Sequence, residues 1–242
     1  MAIVLLGATG RIGSLVLVEA LKRGYSLVAL VRNPSSLDEL TATLSPAQKS
    51  KLTVVRGSPL NASDINNAIT TASAAEGRLV VISALNSRRT SENPWAAPHP
   101  TDSPPRMMAD SIANVLSALK GSPAAATERP KVLHVSAIGV GPSVPNAHWV
   151  LRTLISHSNI KLTYEDHAAA EEELKAATGV DWVVVRPGRL TEGDDGNKAK
   201  VWPAEKGMVG LTAKVSRGAV AKFLLDATEG SEWDGKDPII LS

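Results

Sequence analysis

The stretch Ala2–Ser14, AIVLLGATGRIGS, decides the fold. An apolar run of strand length enters a turn with glycines at 7, 10 and 13, and an amphipathic segment, RIGSLVLVEALKRG (11–24), follows. Glycine is favoured where a turn is tight, where backbone must approach a ligand, and where a helix packs closely on a strand. Strand, glycine turn and helix in that order present free N–H groups and a positive dipole end, a seat for a pyrophosphate. The spacing is G-x-x-G-x-x-G rather than the G-x-G-x-x-G of the standard dinucleotide fingerprint. Its place in the first strand–turn–helix unit supports the same reading.

Outward from that unit the alternation repeats. Strand-length apolar runs stand at 26–32, 51–57, 78–85, 131–137 and 181–188, and the short run PIILS closes the chain. Between them lie helical patterns: SSLDELTATL, NASDINNAITTA with Asn61 or Ser63 as cap, RMMADSIANVLSALKG, HWVLRTLISHS, TYEDHAAAEEEL (163–174) and SRGAVAKFLLDATE. The strands are continuously apolar, which suits a parallel sheet covered on both faces. The expected fold is therefore α/β: a doubly wound, mostly parallel sheet of the Rossmann type with helices on both faces, one domain over residues 1–242. Two segments break the rhythm, 86–105 (Pro- and Ser-rich) and 189–214 (polar, Gly-rich). Both leave from the carboxyl edge of the sheet, where such folds bind ligands, and both are read as substrate-side walls.

Composition narrows the function. A formal net charge of +2 gives no footprint for nucleic acid or an anionic membrane. Cys is absent, which excludes disulfides and thiolate chemistry. No apolar run approaches the ~20 residues of a membrane span, so a soluble, cytoplasmic protein is expected. No histidines show metal-ligand spacing with an acid, and no metal site is expected. Nothing in the sequence speaks to oligomeric state.

The second strand bears on the cofactor. An acid near its end holds the ribose 2′-OH of NAD, whereas an arginine accommodates the 2′-phosphate of NADP. This strand ends VALVRNPSS, with Arg32 at its tip and Ser35 and Ser36 beyond; Arg11 in the glycine turn adds a second cation. The pattern points to NADP(H).

Together GATGRIG, VRNPSSL, VVRGSPLNASD, HVSAIGVG and DWVVVRPGRLTEG resemble the NmrA-like, atypical short-chain dehydrogenase/reductase group, along essentially the whole chain. That group includes biliverdin reductase B-like flavin reductases and fungal averufin-oxidase-like proteins, and it mixes reductases, isomerase-like enzymes and NADP sensors. The resemblance implies that Gly7, Thr9, Gly10, Arg11, Ile12 and Gly13 hold the pyrophosphate and Arg32 the 2′-phosphate. Ser58 and Leu60 would flank the adenine, although relatives often carry an Asp where Ser58 stands. Ser83, Ala84 and Leu85 would run beside the ribose. Ser136, Ala137, Arg186, Pro187 and Gly188 would border the nicotinamide.

Standard short-chain dehydrogenases pair a Tyr with a Lys four residues on. Here Ala29 follows Tyr25 and Ala168 follows Tyr164 at that spacing. Tyr164 and His167 lie one helical turn apart and could share a face toward the cleft, with His167 as proton donor oriented by Asp166 or Glu171, and Ser136 nearby. The competing reading is that Thr163 and Asp166 cap a helix beginning there. Trp95 and Trp202, one in each long loop, could sandwich a flat substrate or serve as packing anchors. His134 reads as a core histidine. The expected function is NADP(H)-dependent oxidoreduction of a small aromatic, quinone or polyketide-like molecule, in the setting of secondary metabolism. Its alternatives are a non-catalytic redox sensor and a non-redox isomerase or cyclase using His167 or Tyr164.

Overall fold

The computed structural model describes residues 1–75, 77–122, 128–193 and 196–242. In chain order the strands are β1 (Ala2–Leu6), β2 (Ser26–Val31), β3 (Leu52–Arg56), β4 (Leu79–Ser83), β5 (Lys131–Val135), β6 (Asp181–Pro187), β7 (Arg189–Thr191), β8 (Lys200–Trp202), β9 (Lys214–Ser216) and β10 (Ile239–Leu241). The α-helices are α1 (Gly13–Lys22), α2 (Asp38–Ala42), α3 (Pro46–Lys49), α4 (Ala62–Ser73), α5 (Met107–Lys120), α6 (Trp149–Ser156), α7 (Ile160–Ala176) and α8 (Arg217–Asp226). Eight strands form one sheet in the order β3-β2-β1-β4-β5-β6-β10-β8. All its pairings are parallel except β10 with β8, which is antiparallel. This is the doubly wound, Rossmann-type arrangement expected, and its order reverses between β1 and β4.

The period-2 geometry of strands divides the apolar residues between two faces. Ile3, Leu5, Val80, Ile82, Leu133, Val183 and Val185 face α1 and α8, where Val16, Leu17, Val220 and Leu224 meet them. Val4, Leu6, Val81, Val132 and Val184 face α4, α5 and α7, packing on Ile65, Ile69, Ile112, Val115 and Leu174. Burying both faces explains the continuous apolar strands. Each such Leu, Ile or Val contributes roughly 1.5–3 kcal/mol by leaving water.

Two expectations are corrected. The segment 189–214 contains short strands: β7 pairs with β9 in parallel, and β8 extends the main sheet as its edge. The helix bearing TYEDHAAAEEEL begins at Ile160 after Asn159, three residues before Thr163. Thr163 and Asp166 therefore do not open it. Asp166 instead caps a different helix. Arg106, at the N-cap of α5, has φ +58° and supplies no capping side chain. Asp166 reaches across from α7, and its two oxygens accept from Met108 N and Ala109 N at 3.0 Å each.

Asn61 caps α4 as expected, accepting from Ser63 N and Asp64 N. No helix among the described residues is long and apolar enough to cross a membrane.

Candidate functional site

The glycine turn sits at the carboxyl end of β1, beside β4, where the sheet order reverses. Gly7 has φ +82°, and a Cβ there would lie 2.7 Å from the Ala84 carbonyl oxygen. A Cβ on Gly13 would lie 2.0 Å from the Gly7 carbonyl oxygen. Gly7 thus lets β1 pass beside the turn after β4, and Gly13 lets α1 close against β1. The turn is tied by Gly10 N donating to Gly7 O at 2.9 Å. Ile12, at the N-cap of α1, offers no side-chain acceptor. The N–H groups of Arg11, Ile12 and Gly13 have no acceptor among the described residues. A turn that side chains at 7 and 13 would force apart, rimmed by N–H groups without an acceptor among the described residues, fits a pyrophosphate. Thr9 and Arg11 are exposed on its rim, beside the part-exposed Ala84 and Leu85.

Arginines flank this cradle, and acids from the two long segments meet them. Arg11 Nη1 is 3.1 Å from Glu192 Oε1, and Arg217 Nη1 is 2.7 Å from the same oxygen. At the tip of β2, Arg32 Nη1 is 2.7 Å from Asp102 Oδ1, while Arg88 Nη1 is 2.9 Å from Asp102 Oδ2. Arg32, with His99 and Arg88 adding to the effect, holds the Asp102 carboxyl below the usual carboxylate range. Neither Arg88 nor Asp102 stood out in the sequence. The signal available was the basic pair Arg88-Arg89 a few residues beyond β4.

After β3, Ser58 N donates to Asp64 Oδ2 at 2.8 Å, and Ser58 Oγ accepts from Leu60 N at 3.3 Å. Leu60 is exposed. The acid that the resemblance would place directly after Gly57 is absent, but Asp64 on α4 takes the N–H of this turn. Ser83 is fully buried and faces the α4–α5–α7 layer, and only Ala84 and Leu85 of that trio reach the rim.

The residues expected around the nicotinamide divide similarly. Ala137 is half-buried, whereas Ser136, Arg186, Pro187 and Gly188 are buried. Ser136 Oγ donates to Glu171 Oε1 at 2.7 Å. Arg186 Nε bonds the same oxygen at 3.1 Å, and Arg186 Nη2 pairs with Glu171 and, at 3.0 Å, with Asp237. Lys175 reaches both acids, at 3.3 and 2.7 Å. Buried charges persist only when paired this fully, and the acids beside Arg186 push its pKa up despite its burial. The Arg186 side chain is therefore turned under the sheet, away from the cradle.

His167 also points inward. It is 4% exposed, and its Nδ1 lies 3.1 Å from His134 Nε2. Burial lowers the pKa of His167 to about 3, with His134 adding to the effect, and burial alone lowers that of His134 to about 4. Both rings are neutral near pH 7. The one-turn spacing from Tyr164 thus aims His167 at a buried ring rather than into the cleft. His134 is a core residue as expected, satisfied at Nε2, while its Nδ1 is buried without a partner among the described residues. Tyr164 packs near Gly139, and burial pushes its phenol up to about 12.

The two tryptophans are anchored to different elements. Trp95 Nε1 donates to His157 O, and Trp95 O accepts from Asn159 Nδ2, which fixes the loop to the α6–α7 corner. Trp202, on β8, donates to Gly207 O. It lines a hollow of about 370 Å³ with Asn146, Arg186, Trp233 and Asp237, next to β10 and four strands from β1.

With this geometry in view, the relatives agree. Residues 7–230 match the family described as NAD(P)H-binding. Reductase pytE of Aspergillus terreus is 27% identical, covering 95% of this chain and 94% of its own. ChuY, an anaerobilin reductase from Escherichia coli O157:H7, superposes with a TM-score of 0.71 at 18% identity, covering 99% of this chain and 96% of its own. The oxidoreductase ylbE of Lactococcus lactis gives 0.68 at 16% identity, over 99% and 90%. The chain belongs to the NAD(P)H-binding oxidoreductase family, within the NmrA-like, atypical short-chain dehydrogenase/reductase group.

Proposed function

We propose that this protein is a single-domain NADP(H)-dependent oxidoreductase acting on a small aromatic, quinone or polyketide-like molecule. The observation that carries the reading is the glycine cradle at the β1/β4 reversal with β2 followed by Arg32 rather than by an acid of its own. Gly7, Gly10 and Gly13 admit the pyrophosphate to free N–H groups, and Arg32 takes the 2′-phosphate, with Arg88 beside it. The cofactor, when bound, supplies or accepts a hydride at its nicotinamide. The chain's own contribution is to bind and orient the two reactants and to exclude water. His167 is neutral, buried and hydrogen-bonded to His134, so solvent rather than His167 donates the proton. That suits an acceptor that takes hydride without a strong protein acid. The reductase name of the Aspergillus terreus relative points the same way.

A second reading, a redox sensor that binds NADP without turnover, is favoured by one observation. Ser136 and His167, two of the three side chains expected at the reacting end, are both engaged in buried hydrogen bonds.

The deciding experiment follows NADPH absorbance in the presence of quinones, flavins and aromatic ketones. Sustained oxidation with at least one acceptor is expected. Tight NADPH binding without turnover across the panel overturns the enzymatic reading in favour of the sensor.

A further inference from the structure

The anion seat assigned to the 2′-phosphate is already filled by the chain itself. Asp102 places one carboxylate oxygen on Arg32 and the other on Arg88. His99 Nδ1 stands 3.7 Å from the second oxygen. These groups come from two places, the tip of β2 and the segment 86–105 after β4.

Because β1 lies between β2 and β4, that segment must cross the carboxyl end of β1 to bring Asp102 to Arg32. It is built to do so. Arg88 N donates to Ser103 Oγ at 2.6 Å, and His99 N donates to Arg88 O at 2.8 Å. Asp102 N donates to His99 Nδ1 at 3.2 Å, and Arg89 bridges Pro98 antiparallel. The carboxylate is thus fixed by its own loop as well as by the arginines.

We propose that Asp102 is an internal stand-in for the cofactor's 2′-phosphate and thereby sets how strongly the protein prefers NADP over NAD. The inference rests on the assignment of Arg32 as the 2′-phosphate residue. A phosphate monoester brings nearly two negative charges and three acceptor oxygens, and it displaces a single carboxylate from the two guanidinium groups. A 2′-OH brings no charge and leaves Asp102 in place, where the carboxylate can accept its hydrogen bond. One side chain therefore opposes NADP and assists NAD. Arg88 is the second cation of the seat.

The test measures dissociation constants of 2′,5′-ADP and 5′-AMP on the full chain, for the unmodified protein, Asp102→Asn, Arg88→Ala, Arg32→Ala and the double variant D102N/R88A. Asp102→Asn is expected to tighten 2′,5′-ADP by about three- to tenfold. It should not tighten 5′-AMP, so the ratio between the two rises. Arg88→Ala should lower the ratio, and the double variant should lose most of the gain. Thermal melts check folding, and Asp102→Ser replaces Asp102→Asn if the latter does not fold.

An unchanged or lower ratio in Asp102→Asn, with Arg32→Ala still abolishing the 2′-phosphate preference, rejects the role of Asp102 and keeps the cofactor reading. An Arg32→Ala ratio equal to that of the unmodified protein rejects both.

Discussion

His167 and His134 show how one side chain's surroundings decide its chemistry. An imidazole on an α-helix one turn from a tyrosine has the right pKa and the right spacing for acid–base work when it faces water. Here the same spacing drives it into the layer between α7 and the sheet, where the ring of His134 meets it at 3.1 Å. Burial then makes the charged form costly, and the pair stays neutral. The sign of the pH dependence follows. Both pKa values fall below the ordinary value near 6.5, to about 4 and about 3, so the unfolded chain binds protons that the folded chain refuses. Stability contributed by these neutral rings is full above ~6.5 and declines as pH drops toward 4, by up to about 1.4 kcal/mol per pH unit and per imidazole. Urea midpoints at pH 7.5, 6 and 5 should fall in that order, and more gently for the double substitution His134→Leu, His167→Leu. Equal slopes in the two proteins would contradict the assignment.

At the scale of elements, the tie between α7 and α5 is the feature least visible in advance. The S/T-x-x-D pattern at Thr163–Asp166 is real, but the helix runs through it from Ile160, and Asp166 satisfies the orphan N–H groups of α5. Sequence patterns report local geometry, and a cap supplied from 57 or 58 residues away has no local signature. The same holds for the cluster of Ser136, Glu171, Lys175, Arg186 and Asp237, and for Asp102 on Arg32. Each joins residues whose proximity exists only once the sheet is assembled. Asp166→Ala is expected to cost about 1–2 kcal/mol in urea unfolding. The loss should appear as faster amide exchange in the first turn of α5, at Met108 and Ala109. Unaltered exchange at those two amides would show that Asp166 does not carry the cap.

For the molecule as a whole, the parallel sheet was legible because its strands are apolar throughout and its glycines fall in one turn. Gly7 and Gly13 have no room for a Cβ, and that demand is written directly into the residue types at 7 and 13. The short strands β7, β8 and β9 were not legible. Three residues each, all partnered by segments distant in sequence, they carry no periodicity to read. The cofactor end of the site was therefore easier to anticipate than the reacting end. The former rests on backbone geometry of one contiguous turn, the latter on side chains that turned out to be engaged with one another. Whether Arg32 makes this cradle an NADP site is decided by calorimetric titration of the full chain with NADPH and NADH at one fixed ionic strength. NADPH should bind more tightly, with the difference collapsing in Arg32→Ala. Equal affinities for the two cofactors, or a preference that survives Arg32→Ala unchanged, would overturn the role given to Arg32.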